Sequence, residues 1–523
     1  MIMRHTFEKL FSVLLLGVFS LHLALGQEES TRVSSPAALQ TMKLNAQWFQ
    51  GNNTAGLSIN PLRDYSKLFA SYTHEYGDFH PAMEGSKVGN LHFGAEGSKA
   101  LHGFNVWASF NYDRQVKKEA GYNASIIHPY RGMPYYVVDS NLSDWNNQYY
   151  QLDFKVASPM IADKVALGVQ GGYDTYLGAK QRDIRSENYA MNLFVMPSLA
   201  YKINDAHAFG LNFRYAAYKE ESTMSNVNYY INQPYFELFG MGFATKRIGS
   251  GRTTDYKANT LGGGVQYQFN GAIRAFIEGN YELRVEDAVI GFSQPRDIGT
   301  IKNSRWNVAL NIQKEVGVNS HYLSARFESS SSAGIQYITK FDDTDSFQGF
   351  ESLLRNIRSR FIDNKLDLSY IWLRNYQDEY TWLLEAKGGI LQRRAKYLIP
   401  YSEKIADVAF TSIEGRRNLI LDEKKGQRLE LSLLAGFQWK TKNSISLNEE
   451  ATEEFVTKNI EIPDHLYLGT NFISSRASVE YAQIVNQKNQ MKLFVKGEYQ
   501  LCKPMNSTYK NRSACAVTLG CIF

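Results

Sequence analysis

Past its first 26 residues the chain has no run of ~20 consecutive apolar residues, so no helix of the kind that crosses a bilayer is expected. Cysteine is scarce, with only Cys502, Cys515 and Cys521. An odd set is not a full disulfide framework. Cys502 and Cys515 flank a loop, but strand parity aims one inward and the other outward, so the expected role is that of small apolar residues. Charge of one sign is scarce too: 57 Lys and Arg face 52 Asp and Glu, a formal net charge of +5. That is too small to argue for a nucleic-acid partner. G-x-S-x-G, H-E-x-x-H and P-loop motifs are all missing, and no catalytic residue is assigned. No cofactor or metal site is expected either. His74, His80, His92 and His102 are close in sequence but scattered by strand parity. Asp342-Asp343-Thr344-Asp345 lacks the Gly and final Glu of a calcium loop.

What the chain does have begins with an export signal. Arg4 and Lys9 precede the apolar run Leu10 to Phe19, and small residues follow at Ala24 and Gly26. This is the layout of a signal peptide, 1–26, with cleavage expected after Gly26. Aromatic residues are abundant, with 33 Tyr, 30 Phe and 7 Trp. Membrane barrels place such residues in girdles at the two lipid interfaces.

The dominant pattern is alternation. Phe104, Val106, Ala108, Phe110 and Tyr112 share one parity, as do Phe209, Leu211, Phe213 and Tyr215, with polar residues on most positions between. Asn270-Gly271 joins two such runs as a tight-turn signal. Short links near 158–164, 204–206, 270–271, 316–319, 377–379 and 485–489 alternate with long polar links near 114–147, 220–258, 286–302, 330–363 and 391–426. Short turns on one side and long loops on the other are the asymmetry of outer-membrane barrels. The strand scheme runs from 65–76 to Phe523, with a turn near Thr441, a short strand at Ser444 to Leu447, and a strand from Leu466 to Ala482. The tally is 18, with 14 or 16 if some short segments are loops.

Residues 27–60 differ. Ser35-Pro36 opens a short helix with Leu39, Met42 and Trp48 or Phe49 at helical spacing, and Gly51 to Gly56 breaks it. This segment is read either as a plug in the lumen or as a periplasmic tail. Two loops are unusually apolar. One holds Tyr229, Tyr230, Tyr235, Phe236, Phe239 and Phe243; the other is His128 to Tyr136, with Tyr130 and Arg131. These eight residues are the candidate ligand contacts. The first loop is read as a lid over an apolar ligand or as a structural cap, and the second as a sugar or lipid contact or as another packed loop.

The closing strand Ser513 to Phe523, with Val517, Leu519 and the final Phe523, looks like the assembly signal of outer-membrane barrels. Trp48-Phe49, Asn53-Thr-Ala-Gly-Leu57 and the Tyr-rich hairpins resemble an uncharacterised Bacteroidetes-type outer-membrane barrel family. That resemblance implies fold and location, and no established function. A weaker likeness is to the long-chain fatty-acid transporter family, although Asn53-Thr54-Ala55 lacks the Pro of its plug motif.

The expected architecture is therefore all-β: an antiparallel transmembrane β-barrel over 61–523, preceded by a signal peptide and the 27–60 segment. The expected role is a gated channel or transporter for a small or apolar ligand, with a structural or accessory barrel as the alternative and a membrane enzyme third. A TonB-type receptor is not expected, since no plug domain of sufficient size precedes the strands. The expected surroundings are outer-membrane lipid, lipopolysaccharide and the outer-membrane assembly machinery.

Overall fold

The computed structural model describes Val33 and residues 35–523, except for 229, 232, 250, 292–293, 345–346, 487–489 and 506. The expected signal peptide lies outside the described residues.

In chain order the strands are β1 (Tyr65–Gly77), β2 (Lys87–Leu101), β3 (Phe104–Asn123), β4 (Val137–Ala157), β5 (Val165–Lys180), β6 (Arg185–Lys202) and β7 (His207–Ser225). A hairpin of β8 (Pro234–Gly240) and β9 (Phe243–Ile248) follows. Then come β10 (Arg252–Asn270), β11 (Arg274–Gly291), β12 (Arg296–Val316), β13 (Asn319–Thr344), β14 (Phe347–Tyr376), β15 (Glu379–Tyr397) and β16 (Ser402–Asp422). The last are β17 (Gln427–Ser446), β18 (Phe472–Asn486), β19 (Met491–Pro504) and β20 (Arg512–Ile522). All but β8 and β9 form one closed antiparallel barrel of 18 strands, in which β7 pairs with β10 and β20 pairs with β1. Closure satisfies every strand edge, which is what allows a sheet to cross lipid.

The alternation does what a barrel in lipid needs. On β6, Leu193, Val195, Leu199 and Tyr201 are exposed while Ala190, Phe194, Met196 and Ala200 are buried. Phe209, Leu211, Phe213 and Tyr215 continue the outer apolar surface on β7, and Val517 and Leu519 do so on β20. A soluble protein would not leave such a band uncovered. The chain is an outer-membrane β-barrel.

The tally of 18 is met by a different set of strands from the one the sequence suggested. Thr441 is not a turn: Asp407 pairs with Lys442 and Val408 with Lys440, so Thr441 is the extra residue of a β-bulge. Ser444 to Ser446 simply continue β17, and Leu447 follows it. The missing strand is β16, inside what reads as the long link 391–426. Its upper half buries Ile405, Ala406, Val408 and Ala409 in near succession, which erases the period of two. Leu466 to Leu468 are helical, and that strand begins only at Phe472. The links near 330–363 and 286–302 are mostly strand, because β11 to β14 extend far beyond the ~10 residues that span a bilayer. The three cysteines are free.

Candidate functional site

The N-terminal segment lies inside the barrel at the end of the short turns. Helix α1 (Pro36–Asn45) starts with Pro36 in its first turn and Ser35 as its cap, whose hydroxyl accepts from the Ala38 amide at 3.1 Å. α2 (Gln47–Gln50) and a 3-10 turn, Thr54–Ser58, follow. Lys43 pairs with Glu96 on β2 at 2.7 Å, and on the far side Gln40 accepts from Tyr380 on β15 at 2.9 Å and from Arg416 on β16 at 3.1 Å. Trp48 is fully buried and its Nε1 donates to Gln268 on β10 at 2.7 Å. Asn53 Nδ2 donates to Gln266 at 2.8 Å and lies within bonding reach of the Leu199 and Leu211 carbonyls at 3.0 and 3.1 Å. Two wall glycines make this approach possible: a Cβ at Gly168 would strike the Ala55 backbone, and one at Gly210 would strike Asn53 and Trp48. A cavity of about 470 Å³ remains between α1, the ends of β12 to β14 and the β14–β15 turn.

The opposite end is roofed by loops. The β8–β9 hairpin folds inward and adds Tyr235 to Glu237 to the top of β4. The loop after β17 carries α3 (Glu454–Val456), a π-turn over Thr457–Glu461 and α4 (Ile462–Leu468). Phe236 stacks on Phe455 at 5.0 Å, and Phe243 on Tyr397 at 3.8 Å. Phe236, Leu238, Ile126, Tyr136, Ile298, Val456 and Ile460 share one buried cluster, with Phe239 packed against its edge. Asp464 ties three loops together. It accepts from the Ala82 amide at 2.7 Å and from the Tyr130 hydroxyl at 3.0 Å, and that hydroxyl accepts from the Met83 amide at 2.9 Å. Burial pushes the Asp464 carboxyl up to about 6, and it pushes His128 and His465 down to about 4.

Below this roof is a chamber of about 670 Å³. Its wall is legible from the register of β7 and β10 to β16. One hydrogen-bonded row runs Arg214, Gly262, Glu282, Arg305, Ser330, Asp363, Arg393. The row above it, one side-chain step nearer the roof, runs Ala216, Thr260, Arg284, Asn303, Ser332, Phe361, Ala395, Lys404. Arg131 descends from the β3–β4 loop to meet Glu220 at 3.1 Å and also Glu286, with its guanidinium 5.2 Å from the ring centres of both Tyr218 and Tyr256. The two carboxylates hold that guanidinium charged, well above its ordinary range. The chamber is lined by seven cationic and three anionic side chains.

The candidate contacts therefore separate. Tyr130 and Arg131 line the chamber. Tyr235, Phe236, Phe239 and Phe243 pack within the roof, Tyr230 is almost fully exposed, and Tyr229 lies outside the described residues. His92 pairs with Asp113 at 2.9 Å. Among the described residues no group of three or more His, Cys, Asp or Glu is placed to hold a metal. Sequence reasoning missed Arg284, Arg305, Arg393 and Asp464. A signal for the first was present, since Glu282, Arg284 and Glu286 put three charges on one strand face.

The chain belongs to a family of unknown function, DUF6850, whose profile matches residues 54–523. No curated protein matches it. Solved structures similar to it include the FrpB iron transporter of Neisseria meningitidis, at 10% identity and TM-score 0.39, covering 90% of this chain and 83% of that one. The outer membrane transporter YddB of Escherichia coli is 7% identical with TM-score 0.39, covering 88% and 81%. The ferric preacinetobactin receptor of Acinetobacter baumannii is 8% identical with TM-score 0.34, covering 87% and 80%.

Proposed function

We propose that this barrel is a gated transporter in which residues 33–60 form the inner plug and the packed loops form the outer gate. One observation carries the reading: a polar chamber of about 670 Å³ lies between a wall-bonded inner segment and a folded roof. A structural stave has no need of a chamber, and an open pore has no need of two closures. The roof's aromatic side chains build the gate and leave the solute to the charged wall, so the solute we propose is small and polar, unlike the apolar ligand suggested by the loop composition. Liposome swelling tests this. Vesicles holding the whole protein are expected to admit small solutes slowly, and vesicles holding a variant without the 234–248 hairpin are expected to admit them several-fold faster. Equal, negligible rates in both would refute transport.

One feature favours the accessory reading as a second possibility. Beyond Gln336 on β13 and Arg358 on β14, the two strands pair only with each other, leaving a ribbon with Ile338, Phe341, Leu353 and Leu354 exposed. Co-purification of a stoichiometric partner that is lost when this ribbon is shortened would support it.

A further inference from the structure

The chamber wall has a chemistry more specific than polarity. In the lower row, Arg305 has Glu282 on one neighbouring strand and Ser330 on the other, while Arg393 is beside Asp363. The row above adds Arg284 and Lys404 and has no carboxylate. Two of the cations are held from outside the chamber's own lining: Arg305 by Glu328 at 3.4 Å and Lys404 by Glu461 at 2.6 Å. These carboxylates fix the side chains in place, as Glu286 fixes Arg284 at 2.8 Å, and the lining still has more cations than carboxylates. The pairing is incomplete. Arg131 Nε is buried without a hydrogen-bond acceptor, while Arg131 Nη2 and Arg214 Nε face Glu220 at 3.1 Å and Glu282 at 3.4 Å in poorly aligned ion pairs. A buried donor such as Arg131 Nε calls for an acceptor.

Between the arginines are small neutral groups already in order. Asn303 Nδ2 donates to Ser330 at 2.8 Å and to Ser332 at 2.7 Å. This leaves hydroxyls and an amide oxygen beside the guanidinium groups. Guanidinium recognises carboxylate, sulfate and phosphate through paired, charge-assisted hydrogen bonds, and serine and asparagine suit sugar-like hydroxyls.

We infer that the arginine belt of the chamber, centred on Arg284, Arg305 and Arg393, binds a small polyhydroxylated anion. The anionic group pairs with the guanidinium ends, and the hydroxyls meet Asn303, Ser330 and Ser332. This rests on the transporter reading for its purpose but not for its test, because binding is measured apart from passage.

The experiment is calorimetric titration of the whole detergent-solubilised protein with glucose 6-phosphate, glucuronate and glucose. The two anions are expected to bind, glucose at least ten-fold more weakly, with anion affinity falling as salt rises because the pairing is partly screened. Arg305→Gln combined with Arg393→Gln is expected to weaken anion binding at least ten-fold, and Arg305→Lys with Arg393→Lys to keep part of it. Gel mobility of unheated and heated samples shows whether each variant is a folded barrel. If only one anion binds, that outcome supports the belt and identifies its preferred headgroup. If glucose binds as well as the anions, or if none binds to folded wild type, the inference is overturned and the arginines serve only the wall's own ion-pair lattice. Swelling assays separate the two readings. Passage without anion preference keeps the transporter and removes the belt; anion binding without passage does the reverse.

Discussion

Replacing Trp48 with alanine should release the inner segment without unfolding the barrel. The indole is fully buried, sits edge-on to Phe276 at 5.0 Å and donates to Gln268 at 2.7 Å. Gly56 lies against its ring so closely that any Cβ there would overlap it. Truncating a buried Trp costs ~3–5 kcal/mol. Leaving the Gln268 carbonyl oxygen without its indole donor adds ~1–3 kcal/mol. The barrel ladder makes no use of Trp48, so the loss falls on the segment's own hold. A loss of ~4–8 kcal/mol corresponds to detachment at least several hundred-fold more frequent, at ~1.4 kcal/mol per factor of ten. Hydrogen exchange of the 47–58 amides is the assay. Those amides are expected to exchange at least a hundred-fold faster in Trp48→Ala, while the strand amides and the heat-modifiable gel band stay unchanged. Trp48→Phe, which keeps a ring and loses the donor, should fall between. Unchanged exchange at 47–58 would refute the claim that this tryptophan anchors the segment.

Other expectations follow from the same contacts. Gly168→Val sets side-chain atoms against the Ala55 backbone, and overpacking of ~1–3 kcal/mol should loosen the same amides, read by the same exchange. Arg131→Ala leaves Glu220 and Glu286 buried without that partner, at ~3–5 kcal/mol; trypsin should then cut the roof loops faster, with Arg131→Lys less affected. Asp464→Asn should change how roof stability varies with pH. A carboxyl raised to about 6 in the folded roof binds more protons there than when released, so its contribution falls as pH rises from about 4 through about 6. The variant should match wild type near pH 4 and protect the 454–468 amides better above pH 6, by up to ~3 kcal/mol at ~1.36 kcal/mol per pKa unit. His128 and His465, held neutral by burial, act in the opposite direction in both proteins: their contribution is full above about 6.5 and is lost as pH falls toward about 4. The difference between the two proteins therefore isolates Asp464.

The barrel was readable because a sheet with lipid on one face and water or protein on the other must alternate. It failed to read where that condition fails. β16 has neighbours on both faces near the roof and four polar or glycine residues in succession, Gly415 to Asn418, lower down. A bulge at Thr441 imitated a turn, and the two misreadings offset each other in the count. The short helix at Ser35-Pro36 could be read from its cap, but not where it sits, because its wall partners span Glu96 to Arg416. The aromatic loops showed that something must be buried without showing what. Their partners, such as Phe455 and Val456, lie in a segment of ordinary composition. The row that carries the arginine belt is assembled from seven strands, and no local window contains it; only register places Arg214, Glu282, Arg305 and Arg393 at one level of the wall.

The most direct measurement of the central claim is single-channel conductance of the purified, folded protein in a planar bilayer, beside a variant carrying Trp48→Ala and lacking the 234–248 hairpin. The account expects the wild type to be silent and the variant to show discrete openings, since both closures are then weakened. Steady open steps from the wild type, or a variant that is folded and equally silent, would contradict it.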